Sequence, residues 1–269
     1  MNRYKEHDIP PIWVVNLKES SDRQKYISNH LQELGLDFQL IEAVNGRELS
    51  EAELAALYDP VQAKKLILRE MAPGEIGCSL SHLKIYQKMI DENVAEVLVL
   101  EDDAQIDPEC LEILQHKNRF PPDWELMLLF HDGEHHTSFR KRRKILKQYR
   151  AVKFINPPYG TLGYITKLSA ARKLLAKGYP IRVPADELTG GGVKSGIALY
   201  GINPPCIRHL YEFNPDITTI PGRKVMQQKY FGNHHQAKKL VERLIINTKV
   251  YWRKNVLVQY KRLHSKYII

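Results

Sequence analysis

Val97-Leu98-Val99-Leu100-Glu101-Asp102-Asp103 is an apolar run of strand length that ends in three consecutive carboxylates. In α/β sheets, ligands bind outside the carboxyl ends of the strands. Adjacent like charges repel one another unless a cation or basic groups neutralise them, and carboxylate oxygens are the ligands that Mg²⁺ and Mn²⁺ prefer. We therefore expect a strand that presents carboxylates to a divalent metal and its diphosphate. The alternative is a strand that runs into a solvated acidic turn.

On both sides of this stretch, apolar strand-length runs alternate with amphipathic helical patterns. This alternation predicts a layered α/β domain with a mainly parallel sheet. A segment rich in Pro and Gly, 179–196, is expected to be a loop that covers a site. Strands are predicted at 12–17, 38–44, 97–100, 124–130, 152–155, 161–166 and 199–202. Helices are predicted to begin near Ser20 or Ser21, Ser50, Pro73, Pro108 and Ser169.

The bulk composition is that of a soluble globular protein, with 43% hydrophobic and 26% charged residues in a chain of 269. No run of about 18 apolar residues is present, so no membrane span is expected. No secretory signal is visible at the N-terminus. The three cysteines are far apart and form no CxxC pattern, which favours reduced, buried thiols and a cytoplasmic location.

The positive charge lies mostly at one end of the chain. Residues 221–269 hold twelve Lys/Arg and one acidic residue, a net charge of +11, whereas residues 1–220 have a net charge of −2. We therefore expect a catalytic domain over 1–220 and a basic, helical C-terminal extension over 221–269. Trp and Tyr interleaved with these bases suit docking on an anionic membrane surface, and the alternative is a helix packed on the body.

Four separated segments together carry a family resemblance. They are Trp13-Val14-Val15-Asn16-Leu17 with Asp22-Arg23, Gly74-Glu75-Ile76-Gly77-Cys78-Ser79-Leu80-Ser81-His82-Leu83, Leu98-Val99-Leu100-Glu101-Asp102-Asp103, and Gly160-Thr161-Leu162-Gly163-Tyr164-Ile165. Over roughly residues 10–220 the chain resembles glycosyltransferase family 25, which includes bacterial lipopolysaccharide and lipooligosaccharide sugar transferases. The resemblance implies a GT-A-like fold, a UDP-sugar donor (usually UDP-galactose), a divalent metal, and inversion at the anomeric carbon.

Sugar transfer from a nucleotide donor leaves negative charge on the departing UDP, which a divalent cation stabilises. The acidic triplet supplies the ligands for Mn²⁺ or Mg²⁺. Asp103 is expected to coordinate the metal and Asp102 to share it, while Glu101 turns toward the nucleotide ribose or a neighbouring base. His209 is a further candidate ligand, although a surface position beside Arg208 is the stronger expectation.

The other predicted donor contacts lie near the first strand and in the long helix. Backbone groups of Val15, Asn16 and Leu17 are expected to cradle the uracil, and Arg23 to pair with a phosphate. The alternative for Arg23 is a solvated position in the first helical turn. The resemblance places Ser81 and His82 at the border of the nucleotide, although a single histidine in a helix is more often structural.

An inverting transfer also needs a base that takes the proton of the acceptor hydroxyl. Pro184-Ala185-Asp186 matches the Pro-x-Asp pattern of the family, which makes Asp186 the first candidate. Glu187 is the near alternative, and Asp132 is the third. A helix N-cap is an equally suitable role for an Asp at this place.

The predicted activity is metal-dependent transfer of a β-linked galactose to a lipid-linked lipooligosaccharide or lipopolysaccharide acceptor. The expected place is the cytoplasmic face of the bacterial inner membrane, with the basic extension as the membrane contact. No nucleic-acid partner is expected. Two alternatives are a catalytically silent nucleotide-sugar-binding protein and a nucleic-acid-binding protein that uses the basic surface.

Overall fold

The computed structural model describes residues 9–132, 142–191 and 193–210. All of them belong to the first of two units into which the chain divides, 1–218 and 219–269. The basic extension expected over 221–269 lies outside the described residues and remains a prediction.

The described chain alternates strands and helices as the sequence pattern predicts. The strands are β1 (Ile12–Asn16), β2 (Gln39–Glu42), β3 (Glu96–Glu101), β4 (Ala104–Ile106), β5 (Leu126–Leu128), β6 (Arg143–Leu146), β7 (Tyr149–Val152), β8 (Gly163–Lys167), β9 (Leu199–Asn203) and β10 (Ile207–His209). The helices are α1 (Ser21–Glu33), α2 (Glu51–Leu57), α3 (Pro60–Ile67), α4 (Pro73–Asp91), α5 (Pro108–Gln115), α6 (Leu168–Gly178) and α7 (Ala185–Thr189), with a 3₁₀ turn at Lys117–Arg119.

Eight strands form the central sheet, in the order β2-β1-β3-β8-β5-β9-β7-β6. Only β8 and β7 run against the other six strands, as their antiparallel pairings show. The mainly parallel central sheet of an α/β fold, expected from the sequence, is thereby confirmed. Because β1, β2, β3, β5 and β9 run in one direction, their carboxyl ends share one edge of the sheet with the start of β8.

The core fills both faces of this sheet, which explains the continuous apolar runs of its central strands. Leu98 and Leu100 of β3 and Ile165 of β8 are fully buried, and each such side chain contributes about 1.5–3 kcal/mol by leaving water. On one face α4 packs against α6 and buries Leu83 and Tyr86. Among the described helices none is long and apolar enough to cross a bilayer.

Local capping chemistry fixes several helix boundaries. Ser50 and Glu53 form the expected capping box at the start of α2. Two helices were not predicted, α3 and α7, and α7 lies inside the segment 179–196 that was expected to be a loop. The signals for α3 are ordinary ones: the Asp59 side chain accepts the N–H of Gln62, and Pro60 occupies the first helical position.

Four strands also differ from the prediction: β7 is shifted, and β4, β6 and β10 were not predicted. The strand expected at 152–155 is observed at Tyr149–Val152, where it forms a hairpin with β6. The short strand β4 was not expected, and it pairs antiparallel with β10 from the far end of the described chain.

Candidate functional site

The acidic triplet lies at the carboxyl end of β3, between the central sheet and the small β4–β10 sheet. Glu101 is the last residue of β3 and is paired with Val15 of β1. Asp102 and Asp103 form the turn that leads into β4. Ala104 pairs with His209 of β10, and the N–H of Leu210 donates to the carbonyl of Asp103 at 3.0 Å. Strand pairing therefore fixes both ends of the turn, with β1 at Glu101 and with β10 at Ala104.

Asp102 is buried and connects β3 to β1 and α1. Asn16 Nδ2 donates to Asp102 Oδ2 at 2.8 Å, and Arg23 Nη1 lies 3.4 Å from Asp102 Oδ1. Burial raises the pKa of Asp102 to about 6, against the opposing effects of the Asn16 hydrogen bond and the Arg23 charge. Both carboxylate oxygens thus have protein partners, and Asp102 orders Asn16 and Arg23 around the sheet edge.

Asp103 and His209 form a pair with the ligand chemistry of a divalent-metal site. His209 Nδ1 lies 3.6 Å from Asp103 Oδ2. Within the described part of the chain, Asp103 Oδ1 is buried and has no hydrogen-bond partner. The neighbouring Asp103 carboxylate raises the pKa of His209, against the opposing effect of burial, and Phe130 packs edge-on against the imidazole. An orphaned carboxylate oxygen beside an imidazole nitrogen fits Mn²⁺ or Mg²⁺.

Glu101 turns toward α4 and β8. Thr161 Oγ1 donates to Glu101 Oε1 at 2.5 Å, and His82 Nε2 lies 3.5 Å from the same oxygen. Burial would raise the pKa of Glu101, but the contacts with His82 and then Thr161 outweigh it, so the pKa is lowered. Glu101 is therefore held as a carboxylate by the protein itself.

The Gly-rich signature at the start of α4 packs directly against the loop that follows β2. Ser81 Oγ accepts the N–H of Val44 at 2.8 Å and donates to the carbonyl of Gly77 at 2.7 Å. A Cβ atom on Gly46 would lie 1.8 Å from the carbonyl oxygen of Pro73, and one on Gly77 would lie 2.5 Å from that of Val44. Ser81 thus positions backbone at the edge of the site.

The end of β1 lies at the same edge. Val15 is buried within the sheet. The carbonyl of Asn16 accepts the N–H of Ala43, and the carbonyl of Leu17 accepts the N–H of Ser20, both at 2.9 Å. Of the three residues predicted to contact uracil, Asn16 contacts Asp102 and Val15 pairs with Glu101.

The two carboxylates of α7, Asp186 and Glu187, lie on a short helix that packs against α4. Ser79 Oγ donates to the carbonyl of Val183 at 3.3 Å, which ties α4 to the segment before α7. Asp186 is partly exposed, and its Oδ1 accepts the N–H of Glu187. Burial and then the charge of Asp186 raise the pKa of the buried Glu187 to about 7. Such a shift at a site edge is typical of functional carboxyl groups.

Arg69 is the basic residue beside the α7 carboxylates. It forms a two-pronged ion pair with the buried Glu75 carboxylate, with both N–O distances at 2.6 Å. Glu75 in turn accepts the N–H of Ala72 at the start of α4. The Arg69 charge also acts on Asp186 and Glu187, so a fixed cation lies near both base candidates.

The charges of two groups of carboxylates act on the Cys78 thiol, those of the acidic triplet and those of α7. Burial raises its pKa well above the ordinary value, and the charges of Glu101 and Asp186 raise it further. Cys78 therefore lies within electrostatic reach of both the acidic triplet and α7. Asp132, the third base candidate, follows β5, and its N–H donates to the carbonyl of Tyr159 just before β8.

No functional role was predicted for Thr161, Arg69 or Cys78. Thr161 and Cys78 belong to the motifs that carry the family resemblance, so the motifs marked both residues without indicating which side chains they contact. Arg69 has no local signal, because its partner Glu75 belongs to the next helix. His209 was expected mainly as a surface residue, whereas the structure places it beside Asp103.

Residues 9–189 match the model of glycosyltransferase family 25 (LPS biosynthesis protein). A glycosyltransferase 25 family member of Aedes aegypti is 34% identical over 185 residues, which cover 65% of this chain and 30% of that protein. Procollagen galactosyltransferase 2 of Homo sapiens is 29% identical over 189 residues, which cover 65% of this chain and 29% of that protein. The chain thus spans less than a third of the length of these relatives.

Two solved structures also match at low similarity. A glycosyltransferase involved in the glycosylation of the major capsid of PBCV-1 has a TM-score of 0.32 and 12% identity, over 62% of this chain and 65% of that one. The inositol-1-phosphate CTP transferase from T. maritima has a TM-score of 0.38 and 12% identity, over 72% and 85% of the two chains.

Proposed function

Because this chain belongs to glycosyltransferase family 25, we propose that it transfers galactose from a UDP-sugar to a glycoconjugate acceptor, with inversion at the anomeric carbon. Relatives named procollagen galactosyltransferase support galactose as the sugar. The observation that carries the proposal is the Asp103 carboxylate at the carboxyl edge of the sheet, whose Oδ2 lies beside His209 while its buried Oδ1 has no hydrogen-bond partner among the described residues.

Asp103 and His209 would hold a divalent metal, Mn²⁺ or Mg²⁺. The bound metal supplies positive charge that stabilises the diphosphate as it leaves. Asp102 contributes differently in this proposal, since its two oxygens already bind Asn16 and Arg23. It keeps the Arg23 guanidinium at the sheet edge, where its charge favours a diphosphate.

The uracil and ribose would lie against the end of β1 and the first turns of α4. Leu17 closes β1 through its turn to Ser20, and Ser81 fixes the loop at Val44. Glu101 is held by Thr161 and His82, so its role is to shape this wall rather than to move a proton.

In the proposed reaction the acceptor hydroxyl oxygen forms a bond to C1 of the donor sugar, and the bond from C1 to the β-phosphate oxygen breaks. UDP leaves with the electron pair of that bond, and the hydroxyl proton passes to a carboxylate. We assign this base to Asp186, which is more exposed than Glu187. Glu187 is the alternative because a pKa of about 7 suits proton transfer at neutral pH.

The acceptor is proposed to be a lipid-linked oligosaccharide of the lipopolysaccharide type, in line with the description of the family as LPS biosynthesis proteins. The net charge of +11 over 221–269 supports docking to an anionic membrane, such as the cytoplasmic face of a bacterial inner membrane. Co-sedimentation with anionic and neutral vesicles checks this part, and equal binding to both would contradict it.

The proposed reaction is tested by incubating the full chain with UDP-galactose, Mn²⁺ and either a lipooligosaccharide acceptor or a procollagen-derived acceptor. The expected result is a β-galactosylated lipooligosaccharide, with the anomeric configuration read from the NMR coupling constant of the new linkage. An α-linked product would contradict inversion. Transfer only to the procollagen-derived acceptor would contradict the lipid-linked acceptor while preserving the transferase.

A further inference from the structure

A second cluster of ligand atoms lies next to the proposed Mn²⁺ site and differs from it in chemistry. The Cys78 Sγ, a ring nitrogen of His82 and a carboxylate oxygen of Glu101 all lie within 4.8 Å of one another. Cys78 and His82 are four residues apart on α4, which places them on the same helix face. Glu101 approaches them from the end of β3.

The His82 ring is oriented by a buried network behind it. His82 Nδ1 lies 2.8 Å from Tyr164 Oη, and that hydroxyl lies 3.1 Å from Tyr86 Oη. The side chain of His82 is 2% exposed, and its Nε2 has no hydrogen-bond partner among the described residues. A cation between Nε2 and the Glu101 carboxylate would favour the tautomer in which Nδ1 donates its proton to Tyr164 and Nε2 carries the lone pair.

This arrangement has the parts that protein metal sites use. Metal-ligating histidines donate their second ring N–H to an outer partner, which fixes the tautomer and the ring orientation, and Tyr164 provides such a partner. Thiolate sulfur, imidazole nitrogen and carboxylate oxygen are the ligands of Zn²⁺. The side chain of Glu101 is 29% exposed, so an ion reaches the cluster from the solvent side.

We propose that Cys78, His82 and Glu101 form a binding site for a thiophilic divalent ion of the zinc class, separate from the Mn²⁺ site at Asp103 and His209. Binding forms a metal–sulfur bond and releases the thiol proton to solvent. Glu101 then shares its carboxylate between the ion and Thr161. The Cys78 thiolate distinguishes this site from the one at Asp103 and His209. Thiolate sulfur favours zinc, whereas Mn²⁺ and Mg²⁺ favour oxygen ligands.

The inference does not depend on the proposed transferase reaction, and its test reads metal binding directly. The full-length chain is titrated with Co²⁺, a spectroscopic substitute for Zn²⁺, and the absorption is followed in the near-ultraviolet. The expected result is a thiolate-to-cobalt charge-transfer band that saturates at an amplitude of one thiolate-bound ion per chain and disappears on adding excess Zn²⁺. Co²⁺ binding without that band would overturn the proposal.

Variants identify which atoms produce the band. Cys78→Ser should abolish it, whereas the buried Cys110→Ala is the matched thiol control and should retain it. Asp103→Asn should also retain the band, because that residue belongs to the other site. A band that persists in Cys78→Ser, or is lost equally in Cys110→Ala, would contradict the assignment.

Tyr164→Phe tests the outer partner without removing a ligand or changing the shape of the core. The band should remain while Co²⁺ affinity falls about 10- to 100-fold, the usual cost of losing such a partner. Thermal unfolding of each variant without metal shows whether the fold is intact. Unchanged affinity in a folded Tyr164→Phe protein would contradict the role of Tyr164 as the partner that orients the His82 ring.

Discussion

The imidazole of His209 lies 3.6 Å from the carboxylate of Asp103, although the two residues are 106 positions apart in the sequence. The antiparallel pairing of β4 with β10 produces this contact, because it sets Ala104 against His209. A strand of three residues thereby completes a pair of metal-type ligands at the carboxyl edge of the sheet.

Replacing His209 by Ala should weaken Mn²⁺ binding at least about tenfold, equivalent to about 1.4 kcal/mol, because one of the two proposed protein ligands is removed. Isothermal titration with Mn²⁺ measures the change. His116→Ala is the control, since that histidine lies at the end of α5 and bonds to the carbonyl of Glu112. Equal Mn²⁺ affinity in His209→Ala and the parent protein would exclude His209 as a ligand.

Asp186→Asn should lower kcat about 10²- to 10⁴-fold, the usual contribution of a general base, because the amide cannot accept the proton of the acceptor hydroxyl. UDP binding should stay near that of the parent. Steady-state transfer kinetics together with UDP titration separate these two effects. The same loss in Glu187→Gln, with Asp186→Asn fully active, would move the base to Glu187.

The buried Glu187 should make stability depend on pH between about 4.5 and 7. Its pKa is raised from 4.5 to about 7 in the folded protein, so the folded state favours the protonated form. Stability therefore falls as pH rises through this range and then levels off. Glu187→Gln imitates the protonated group, so it should match the parent near pH 4 and exceed it at pH 8, by roughly 3 kcal/mol. Urea unfolding at the two pH values measures the difference, and a variant less stable than the parent at pH 8 would contradict this account.

Gly46→Ala should destabilise the protein more than Gly178→Ala. The added Cβ on Gly46 meets the backbone carbonyl of Pro73, which cannot move without displacing α4. The Cβ on Gly178 meets the methyl ends of the Leu83 side chain, which can rotate. Thermal unfolding of the two variants gives the comparison, and equal losses would show that the contact between the β2 loop and α4 is not tight.

Local signals were sufficient for elements whose boundaries depend on nearby residues. Helix α4 was predicted to begin near Pro73, and it is observed at Pro73–Asp91. The same holds for α2, where Ser50 and Glu53 cap each other within four residues. The placement of the acidic triplet at a strand end also follows from the apolar run that precedes it.

Contacts between distant segments could not be read from the sequence. The β4–β10 pairing depends on two strands of three residues each, which are too short to show a periodic pattern. The pairing of Glu101 with Thr161 similarly requires knowing that β8 runs antiparallel beside β3. For this reason the residue types of the site were predicted, while the different contacts of Glu101, Asp102 and Asp103 were not.

The most direct test of the central claim is UDP release from UDP-galactose by the full chain, measured with Mn²⁺ and with EDTA, alongside Asp103→Asn. Asp91→Asn is the charge-matched control at the exposed end of α4. The account predicts release with Mn²⁺ in the parent and in Asp91→Asn, and none with EDTA or in Asp103→Asn. Equal release by Asp103→Asn, or release that EDTA leaves unchanged, would contradict a metal-dependent site at Asp103.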